Sequence, residues 1–591
     1  MNTINFIHPA FIFIIFAGIL AVWKHESFKY ILPLPGILAI LAVLAMKPGT
    51  YDVIHYLGFK LTLGRVDALS IVFAHVFAIQ AIIGFIYAFH VKERAQHIAA
   101  ALYVAGAFGS TFAGDYFTLF IFWELMAVAS VFLIWLNKTN TKATNAGFRY
   151  FIFHTLGGLF LLGGLLLRYK TVGNFDFVPI SPARATIYDY LILIGFAVNA
   201  AVVPLHAWLP DAYPEATITG AVFMSAFTTK TAVYVLARGF AGFEVLAIAG
   251  TIMAIYGVFY ATIENNARRI LAYHIVSQVG YMVAGIGIGT SMTLNGACAH
   301  AYAHILYKGL LFMGAGSLLY ATGTAKLSEL GGLVSKLPWV LVFYMVGAVS
   351  ISGFPLFSGF VSKTMVIAGA AEAHRTILAL GLELAAVGTF LSVGIKLPYF
   401  AFYGKKEFKG DIKPLPKNMY VAMFIASFLC FFIGVYPHFL YHLLPFEVEY
   451  TPYTPWHLEQ SLLLLSFTGL GFYLLRKKLT PEAKINLDFD YFYRLIGNWF
   501  LKLCKTPIEK IDNWWSEVYE RAGLRGLMGL ARGAALFDWE DIDRAVDGFA
   551  YNFVHCGGSI SKVQKGDVRI YVGISVAIAF VIFALVYFFR I

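Results

Sequence analysis

Charged residues and cysteines are both scarce in this 591-residue sequence, and each scarcity excludes a class of protein. Only 13% of the residues are Asp, Glu, Lys or Arg, whereas 59% are hydrophobic. This balance excludes a chain of ordinary soluble domains, in which about a quarter of the residues are charged. The four cysteines are far apart and form no C-x-x-C pair. The sequence therefore predicts no zinc site, iron–sulfur cluster or disulfide framework.

Apolar runs of about 20 residues recur along most of the chain, and each is long enough to cross about 30 Å of hydrocarbon. The expected spans lie at 9–22, 30–46, 67–90, 97–113, 115–136, 148–168, 187–208, 217–239, 244–262, 270–291, 296–320, 336–366, 376–402, 417–442, 459–475 and 570–590. The sequence thus predicts an all-α, multi-pass membrane protein with about sixteen transmembrane helices.

The chain is basic, with a formal net charge of +11, but its basic residues lie in short loops between apolar runs. A nucleic-acid partner would require a basic stripe with interleaved aromatic residues, so none is expected. Phospholipid headgroups are the acidic partner that this distribution favours.

The composition changes at about residue 476, where charges become frequent and Trp514 and Trp515 appear among them. Apolar residues then follow a helical rhythm at Ile542, Ala545, Val546, Phe549, Ala550 and Phe553, with Asp541, Asp543, Arg544 and Asp547 on the other face. The pattern predicts an amphipathic helix lying along the membrane surface, followed by an anchor helix. We interpret it as a strap that grips neighbouring subunits, the alternative being a loose tail with an anchor.

Ionisable residues inside the apolar runs carry the most information about function. They are Glu124, His154, His206, Lys230, His274, His300, His304, Lys308, Lys363, Glu383 and Lys396. A charge at mid-bilayer costs about 2.5 to 3.5 kcal/mol on insertion scales, so such residues normally face the bundle interior and mark an ion or proton route. A structural ion pair is the competing interpretation for Glu124.

His300, His304 and Lys308 follow one another at intervals of four residues, which places them on one face of a helix. This arrangement suits a proton relay through water. Two histidines at this spacing can also bind a metal, but no third ligand accompanies them, so we predict no metal site.

Helix breakers stand next to ionisable residues in two spans. Pro204 precedes His206, Pro355 precedes Lys363, and the two prolines lie 151 residues apart. Interrupted helices at corresponding positions are typical of an inverted repeat whose broken helices line a polar cavity.

These segments resemble the antiporter-like membrane subunits shared by respiratory complex I, membrane-bound hydrogenases and Mrp-type Na+/H+ antiporters. Among the subunits of the Mrp-type antiporters, the resemblance is to the D-type subunits. The similar segments are FWE at 122–124, PLHAWLPDAYPEA at 204–216, SAFTTK at 225–230, RRILAYHIVSQVGYM at 268–282, HAYAHILYKGLLFMGAGS at 300–317 and GFPLFSGFVSK at 353–363. Together they cover most of residues 67–402, and the C-terminal strap and anchor resemble those of the distal complex I subunit.

The resemblance implies an all-helical fold with two inverted five-helix repeats and a chain of buried charges along the membrane midplane. The implied organisation is 1–96 for the first helices, 97–239 and 240–402 for the two repeats, 403–475 for additional helices, 476–569 for the lateral segment and 570–591 for the anchor.

By position, Glu124 resembles the first-repeat glutamate of the family, Lys230 the linking lysine and Lys363 the charge on the second broken helix. The expected path comprises Glu124, His154, Asn199, His206, Lys230, His300, His304, Lys308, Lys363 and Lys396. One departure matters: Asn199 stands where the family usually has a lysine that pairs with the glutamate. Either the first repeat conducts through a different pairing, such as Glu124 with Lys230, His154 or His206, or it is structural.

We therefore predict a proton-translocating subunit of a multi-subunit complex in the cytoplasmic (inner) cell membrane, with Na+/H+ exchange as an open possibility. The sequence contains no cofactor motif, so any redox chemistry must belong to a peripheral partner module, and whether the complex is an enzyme stays open. The expected partners are other membrane subunits, H+, Na+ and lipids. The alternative is a non-transporting scaffold whose lateral helix ties subunits together; a free-standing solute carrier is disfavoured.

Overall fold

The computed structural model describes residues 6–23, 25–56, 58–482, 486–535, 543–562 and 566–589. These segments are helical apart from loops and one two-stranded hairpin. The chain divides into two units, one of Met1–Asn486 with Val586–Ile591 and one of Leu487–Leu585.

The larger unit is a bundle of helices that begins with two helices and a hairpin. Its first part contains α1 Pro9–Val22, α2 Leu34–Ala45, β1 Gly49–Tyr56, β2 Phe59–Val66, α3 Ala68–Ala88, α4 Arg94–Phe112, α5 Tyr116–Trp135, α6 Ala143–Val172, α7 Ile187–Asn199, α8 Trp208–Ala212, α9 Ile218–Met224 and α10 Thr228–Gly239. The strands pair antiparallel, with Gly49 opposite Val66.

The second part of the larger unit consists of helices joined by loops. It contains α11 Glu244–Ile263, α12 Ala267–Ile288, α13 Ser291–Thr322, α14 Pro338–Ser352, α15 Ser358–Glu372, α16 Thr376–Thr389, α17 Leu397–Phe402, α18 Lys417–Val435, α19 His438–Tyr441 and α20 Pro455–Leu475. A π-helical segment, Phe390–Lys396, joins α16 to α17.

The helices have the length and composition of membrane spans. Within the described residues, twelve helical segments are long and apolar enough to cross a membrane, and three shorter apolar helices accompany them. Several are apolar on their outer as well as their inner faces; Leu159 of α6 and Phe467 of α20 are 58% and 67% exposed. A helix that is apolar all round belongs in lipid. The predicted all-α, multi-pass fold is confirmed, whereas the number of sixteen helices and the repeat boundaries remain predictions.

Two spans are interrupted near the expected prolines. The chain leaves α7 at Asn199 and resumes helix only at Trp208, and it leaves α14 at Ser352 and resumes at Ser358. Proline has no N–H to donate to the preceding turn, so the helix cannot run through it undisturbed. Gly353 ends α14 with a left-handed backbone, φ 78°, a conformation that glycine adopts without steric cost.

The two interrupted spans have similar surroundings. An isolated β-bridge joins Asp115 to Asp176 ahead of the first break, and a second joins Asn266 to Lys326 ahead of the second. The bridges are offset along the chain by nearly the same separation as the two prolines. The two breaks and the bridges ahead of them thus recur at nearly the same spacing, and the inverted repeat itself remains a prediction.

Small residues bring α11 and α12 into backbone contact. A Cβ atom on Gly280 would lie 2.5 Å from the Gly250 carbonyl oxygen and 2.6 Å from the Ala254 nitrogen. Close approach through small residues is the usual means by which helices associate in lipid, where no hydrophobic effect drives them together.

The second unit, with the helix that leads out of it, consists of helices and short connecting loops within its described parts. It contains α21 Asp490–Leu503, α22 Glu509–Val518, α23 Arg525–Ala535, α24 Asp543–Ser561 and α25 Val568–Phe589, with π-helical segments at 504–508 and 519–524. Val546, Phe549, Ala550 and Phe553 line one shallow depression on α24, so these four predicted apolar residues share a face. Asp541 and Ile542 lie outside the described residues.

We predict that Gly280→Ala destabilises the bundle. The added methyl group meets backbone atoms that cannot rotate away, and overpacking of this kind costs about 1 to 3 kcal/mol. The matched control is Gly471→Ala on α20, where a Cβ atom meets nothing within 4 Å. Thermal unfolding of the purified protein should show a lower midpoint for the first variant only; equal midpoints would contradict the described packing.

Candidate functional site

The relay predicted on one helix lies in the centre of the larger unit. His300, His304 and Lys308 of α13 are fully buried. His300 joins two neighbouring helices, because its Nδ1 atom lies 3.1 Å from Ser362 Oγ of α15 and its Nε2 atom lies 3.2 Å from Gln278 Oε1 of α12. The imidazole of His300 is therefore held from both sides.

His304 and Lys308 differ from His300 in their surroundings. Neither ring nitrogen of His304 and no part of the Lys308 ammonium finds a hydrogen-bond partner among the described residues. Lys308 interacts electrostatically with Lys230 and Lys363. His304 interacts in the same way with Lys230, Lys308, His300 and Lys363. These five groups form one electrostatically coupled cluster, which we call the central cluster.

The other buried lysines all donate to carbonyl groups at the ends of helices. Lys230 Nζ donates to the Ser225 carbonyl, directly after α9, over 2.6 Å. Lys363 Nζ donates to the Ile351 carbonyl, in the last turn of α14, over 2.7 Å. The last carbonyls of a helix lack intrahelical partners and carry the negative end of its dipole. The interruptions thus supply acceptors for the ammonium groups of Lys230 and Lys363.

Lys396 also donates to carbonyl groups at the end of a helix, in this case α11. Its Nζ atom donates to the Thr262 and Glu264 carbonyls, at 2.6 and 2.8 Å, where α11 ends. His274 of α12 lies 2.6 Å from Ser392 Oγ in the neighbouring π-helical segment. The structure thus holds Lys396 at a helix end near one margin of the bundle.

Glu124 occupies a half-buried position on α5. Its Oε1 atom is itself buried, and no hydrogen-bond or ion-pair partner for the side chain lies within the described part of the chain. The carboxylate rests against Gly158 of α6, where a Cβ atom would come within 2.1 Å of Oε1. Glycine at this position makes room for the carboxylate.

His154 and Asn199 form a buried pair one turn of α6 away from Gly158. His154 Nδ1 lies 2.8 Å from Asn199 Oδ1, and both side chains are fully buried. The pair forms because α6 and α7 approach closely at Gly157 and Gly195, where a Cβ atom on Gly195 would lie 2.9 Å from the Gly157 carbonyl oxygen. His154 Nε2 has no partner within the described residues.

Of the three candidates for pairing with Glu124, two are directed elsewhere. Lys230 is bonded at the end of α9, and the His206 ring packs edge-on against Tyr256 with centroids 4.7 Å apart. His154 lies on α6, one helical turn from Gly158, the residue that the Glu124 carboxylate contacts.

Several polar residues of the site were not predicted from the sequence. Gln278 contacts both His300 and, over 3.4 Å, the Tyr307 hydroxyl, and the Lys363 ammonium lies 5.1 Å from the ring centre of Tyr281. Gln80 of α3 is fully buried with neither amide atom bonded to a described residue. A glutamine within an apolar run is the signal that could have identified Gln80 and Gln278.

Part of the chain is similar to a known family of proteins. Residues 113–391 match the family described as NADH:quinone oxidoreductase/Mrp antiporter, transmembrane. Over these residues the chain is similar to that family. The matched antiporter-like region includes Glu124, the His154–Asn199 pair and the whole central cluster, whereas Lys396 follows it.

Two curated relatives and one solved structure illustrate the family. The chain is 31% identical over 325 residues to the D subunit of a Na+/H+ antiporter of Alkalihalophilus pseudofirmus, covering 51% of this chain and 65% of the relative. It is 27% identical over 417 residues to hydrogenase-4 component B of Escherichia coli, covering 63% and 62%. The chain thus spans less than two thirds of the length of each relative.

The fold is similar to that of a chain in a solved membrane complex. A chain in the Mrp complex of a Dietzia species superposes with a TM-score of 0.64 at 21% identity, over 78% of this chain and 94% of that one. At this identity the likeness concerns the fold.

We predict that Gly158→Ala is destabilising because of Glu124. The new methyl group displaces the carboxylate, so combining it with Glu124→Ala should recover much of the loss, giving a coupling free energy of about 1 kcal/mol or more in a double-mutant cycle. Gly163→Ala, on the same helix with open space around the Cβ position, is the control. Additive effects of the first two substitutions on the unfolding midpoint would contradict the contact.

Proposed function

We propose that this chain is a proton-translocating, antiporter-like subunit of a multi-subunit membrane complex. The observation that carries the proposal is the central cluster, in which five ionisable side chains are buried together and no carboxylate neutralises them within the described residues. Such groups cannot all be charged at once, because like charges in a low dielectric repel strongly. Gaining and losing protons is what this arrangement is suited to do.

Proton transfer along α13 follows from the spacing of its groups. His300 and His304 have ring centroids 6.3 Å apart, too far for a direct hydrogen bond but close enough for one bridged by water. Because His304 and Lys308 have no protein partner in the described part, water is the group that can satisfy them. A proton can then pass from Lys230 through His304 and Lys308 to Lys363.

In the first repeat, the His154–Asn199 pair supports conduction by a different pairing. Asn199 occupies one nitrogen of His154 and leaves the other directed into the bundle, so the imidazole can take up a proton from Glu124 through water. This proposal selects the first of the two possibilities that Asn199 raises.

The scaffold alternative conflicts with the way this molecule builds static charge pairs. Arg238 donates to both carboxylate oxygens of Asp67 at 2.7 Å, and Arg168 pairs with Asp189 at 3.3 Å. These closed pairs have the geometry expected of structural ion pairs. Glu124 and Lys308 show no such closure, which favours transport.

Partners and ions are inferred from what the relatives' names state. The relatives and the solved structure belong to a Na+/H+ antiporter, a hydrogenase and an Mrp complex. We infer that this chain assembles with other membrane subunits in the cytoplasmic membrane. Protons are the transported ion, Na+ is a candidate for exchange, and any redox module is a separate peripheral partner.

Replacing Lys230 or Lys363 with Ala should abolish proton movement, because each substitution removes a group that must carry the proton. We expect a loss of about 100-fold, within the range for removal of a general acid or base. Proton uptake by proteoliposomes that contain the purified assembly measures it. The exposed Lys336→Ala is the control, and wild-type uptake by both buried-lysine variants would defeat the proposal.

The first repeat is tested by His154→Gln. Glutamine keeps a donor toward Asn199 but cannot carry a proton, so we expect uptake to fall at least about tenfold while assembly is preserved. His97→Gln, at a buried histidine held by the Val91 carbonyl, serves as control. Unchanged uptake in the His154 variant would show that the first repeat is structural.

A further inference from the structure

A cleft leads away from Lys363 between α15, α16 and α20. It has a volume of about 370 Å³, and its polar lining includes Lys363, Glu372, Glu383, His457, Gln460 and Ser461. This volume is far more than a single water molecule requires. We call it the acidic cleft.

The inner end of the cleft is the terminal lysine of the central cluster. Lys363 is 3% exposed, and its ammonium faces the ring of Tyr281. The Tyr281 hydroxyl donates to the Leu382 carbonyl over 2.5 Å. The next residue, Glu383, interacts electrostatically with Tyr281. Lys363 and Glu383 therefore both lie near one aromatic side chain, that of Tyr281.

Glu383 lines the cleft and lies within a span. It is seven residues into α16, or about 10 Å from the start of that helix at 1.5 Å per residue. Gln460 of α20 donates to its carboxylate, but no Lys or Arg forms an ion pair with it among the described residues. A carboxylate at this depth without a cation needs water or a proton.

The outer end of the cleft is acidic. Glu372, at the end of α15, lines both the acidic cleft and an adjoining cavity that also contains Glu447 and Glu449. Carboxylates grouped at the mouth of a cleft attract cations and raise their local concentration. The charge order from inside to outside is thus one lysine, one half-buried carboxylate and a group of outer carboxylates.

We propose that the acidic cleft is the aqueous port through which the central cluster exchanges protons with one side of the membrane, and that Glu383 is its relay carboxylate. The Lys363 ammonium releases a proton to water and becomes a neutral amine. The Glu383 carboxylate accepts that proton and becomes a carboxylic acid, which then releases it to water at the mouth. Gln460 positions the carboxylate. Each step is reversible, so the same port serves uptake.

The proposed port rests on the proposed function. The first experiment therefore measures proton uptake in variants of the acidic cleft alongside variants of the central cluster. Glu383→Gln keeps the shape and a hydrogen-bonding contact with Gln460 but cannot accept a proton, and we expect proton uptake by proteoliposomes of the assembly to fall about tenfold or more. The matched control is Glu459→Gln, because Glu459 is exposed, adjoins Gln460 and lies outside the lining of the cleft.

A second experiment tests water access without relying on the relay. Ser461→Cys is introduced after Cys504 and Cys556 are changed to Ser, since the other two cysteines are buried. A cationic, membrane-impermeant methanethiosulfonate should modify the introduced thiol in membranes from one side only and block proton uptake. Phe467→Cys, on the exposed apolar face of α20, should react much more slowly because a thiol in hydrocarbon does not ionise.

The outcomes separate the two proposals. The port is overturned, and the proposed function left intact, if Lys363→Ala loses proton uptake while Glu383→Gln keeps normal uptake. The same conclusion follows if Ser461→Cys is not modified from one side only. Normal uptake in Lys230→Ala and Lys363→Ala overturns the proposed function itself. If Glu383→Gln fails to assemble, block of uptake by modification of Ser461→Cys still supports the port, and unimpaired uptake after full modification contradicts it.

Discussion

The contact between a buried ammonium group and the free carbonyls at the end of a helix is the interaction on which the site depends. Lysine deep in a bundle needs acceptors, and an unbroken helix offers none because its carbonyls are already bonded. Here Lys230 binds a carbonyl directly after α9, Lys363 one in the last turn of α14, and Lys396 two where α11 ends. The interruptions in the helices therefore provide the acceptors for Lys230 and Lys363 within the bundle.

In contrast to these three lysines, Lys308 and His304 have no hydrogen-bond partner among the described residues. The contrast divides the charges into two kinds. Arg238 with Asp67 forms a closed pair that stabilises the fold, while no carboxylate pairs with the basic groups of the central cluster among the described residues. Rigid packing elsewhere, as at Gly250 and Gly280, holds the open groups in place. Stability and proton movement are assigned to different residues.

The sequence was informative where a helix alone decides the geometry. The spacing of His300, His304 and Lys308 and the helix breaker before Lys363 predicted a buried row beside an interruption. The sequence could not show which carbonyl each lysine would bind, nor that Gln278 would join His300 to Tyr307, because these contacts depend on how separate helices approach. The His154–Asn199 contact likewise depends on the glycines of α6 and α7, so the sequence left several partners for Glu124 open.

The central claim is that water connects the central cluster. A high-resolution density map of the assembly in a lipid nanodisc tests it most directly, because ordered water between the side chains is then visible. The account predicts a continuous file of water from Lys230 past His304 and Lys308 to Lys363. Packed hydrocarbon separating these four side chains, with no solvent density between them, would contradict it.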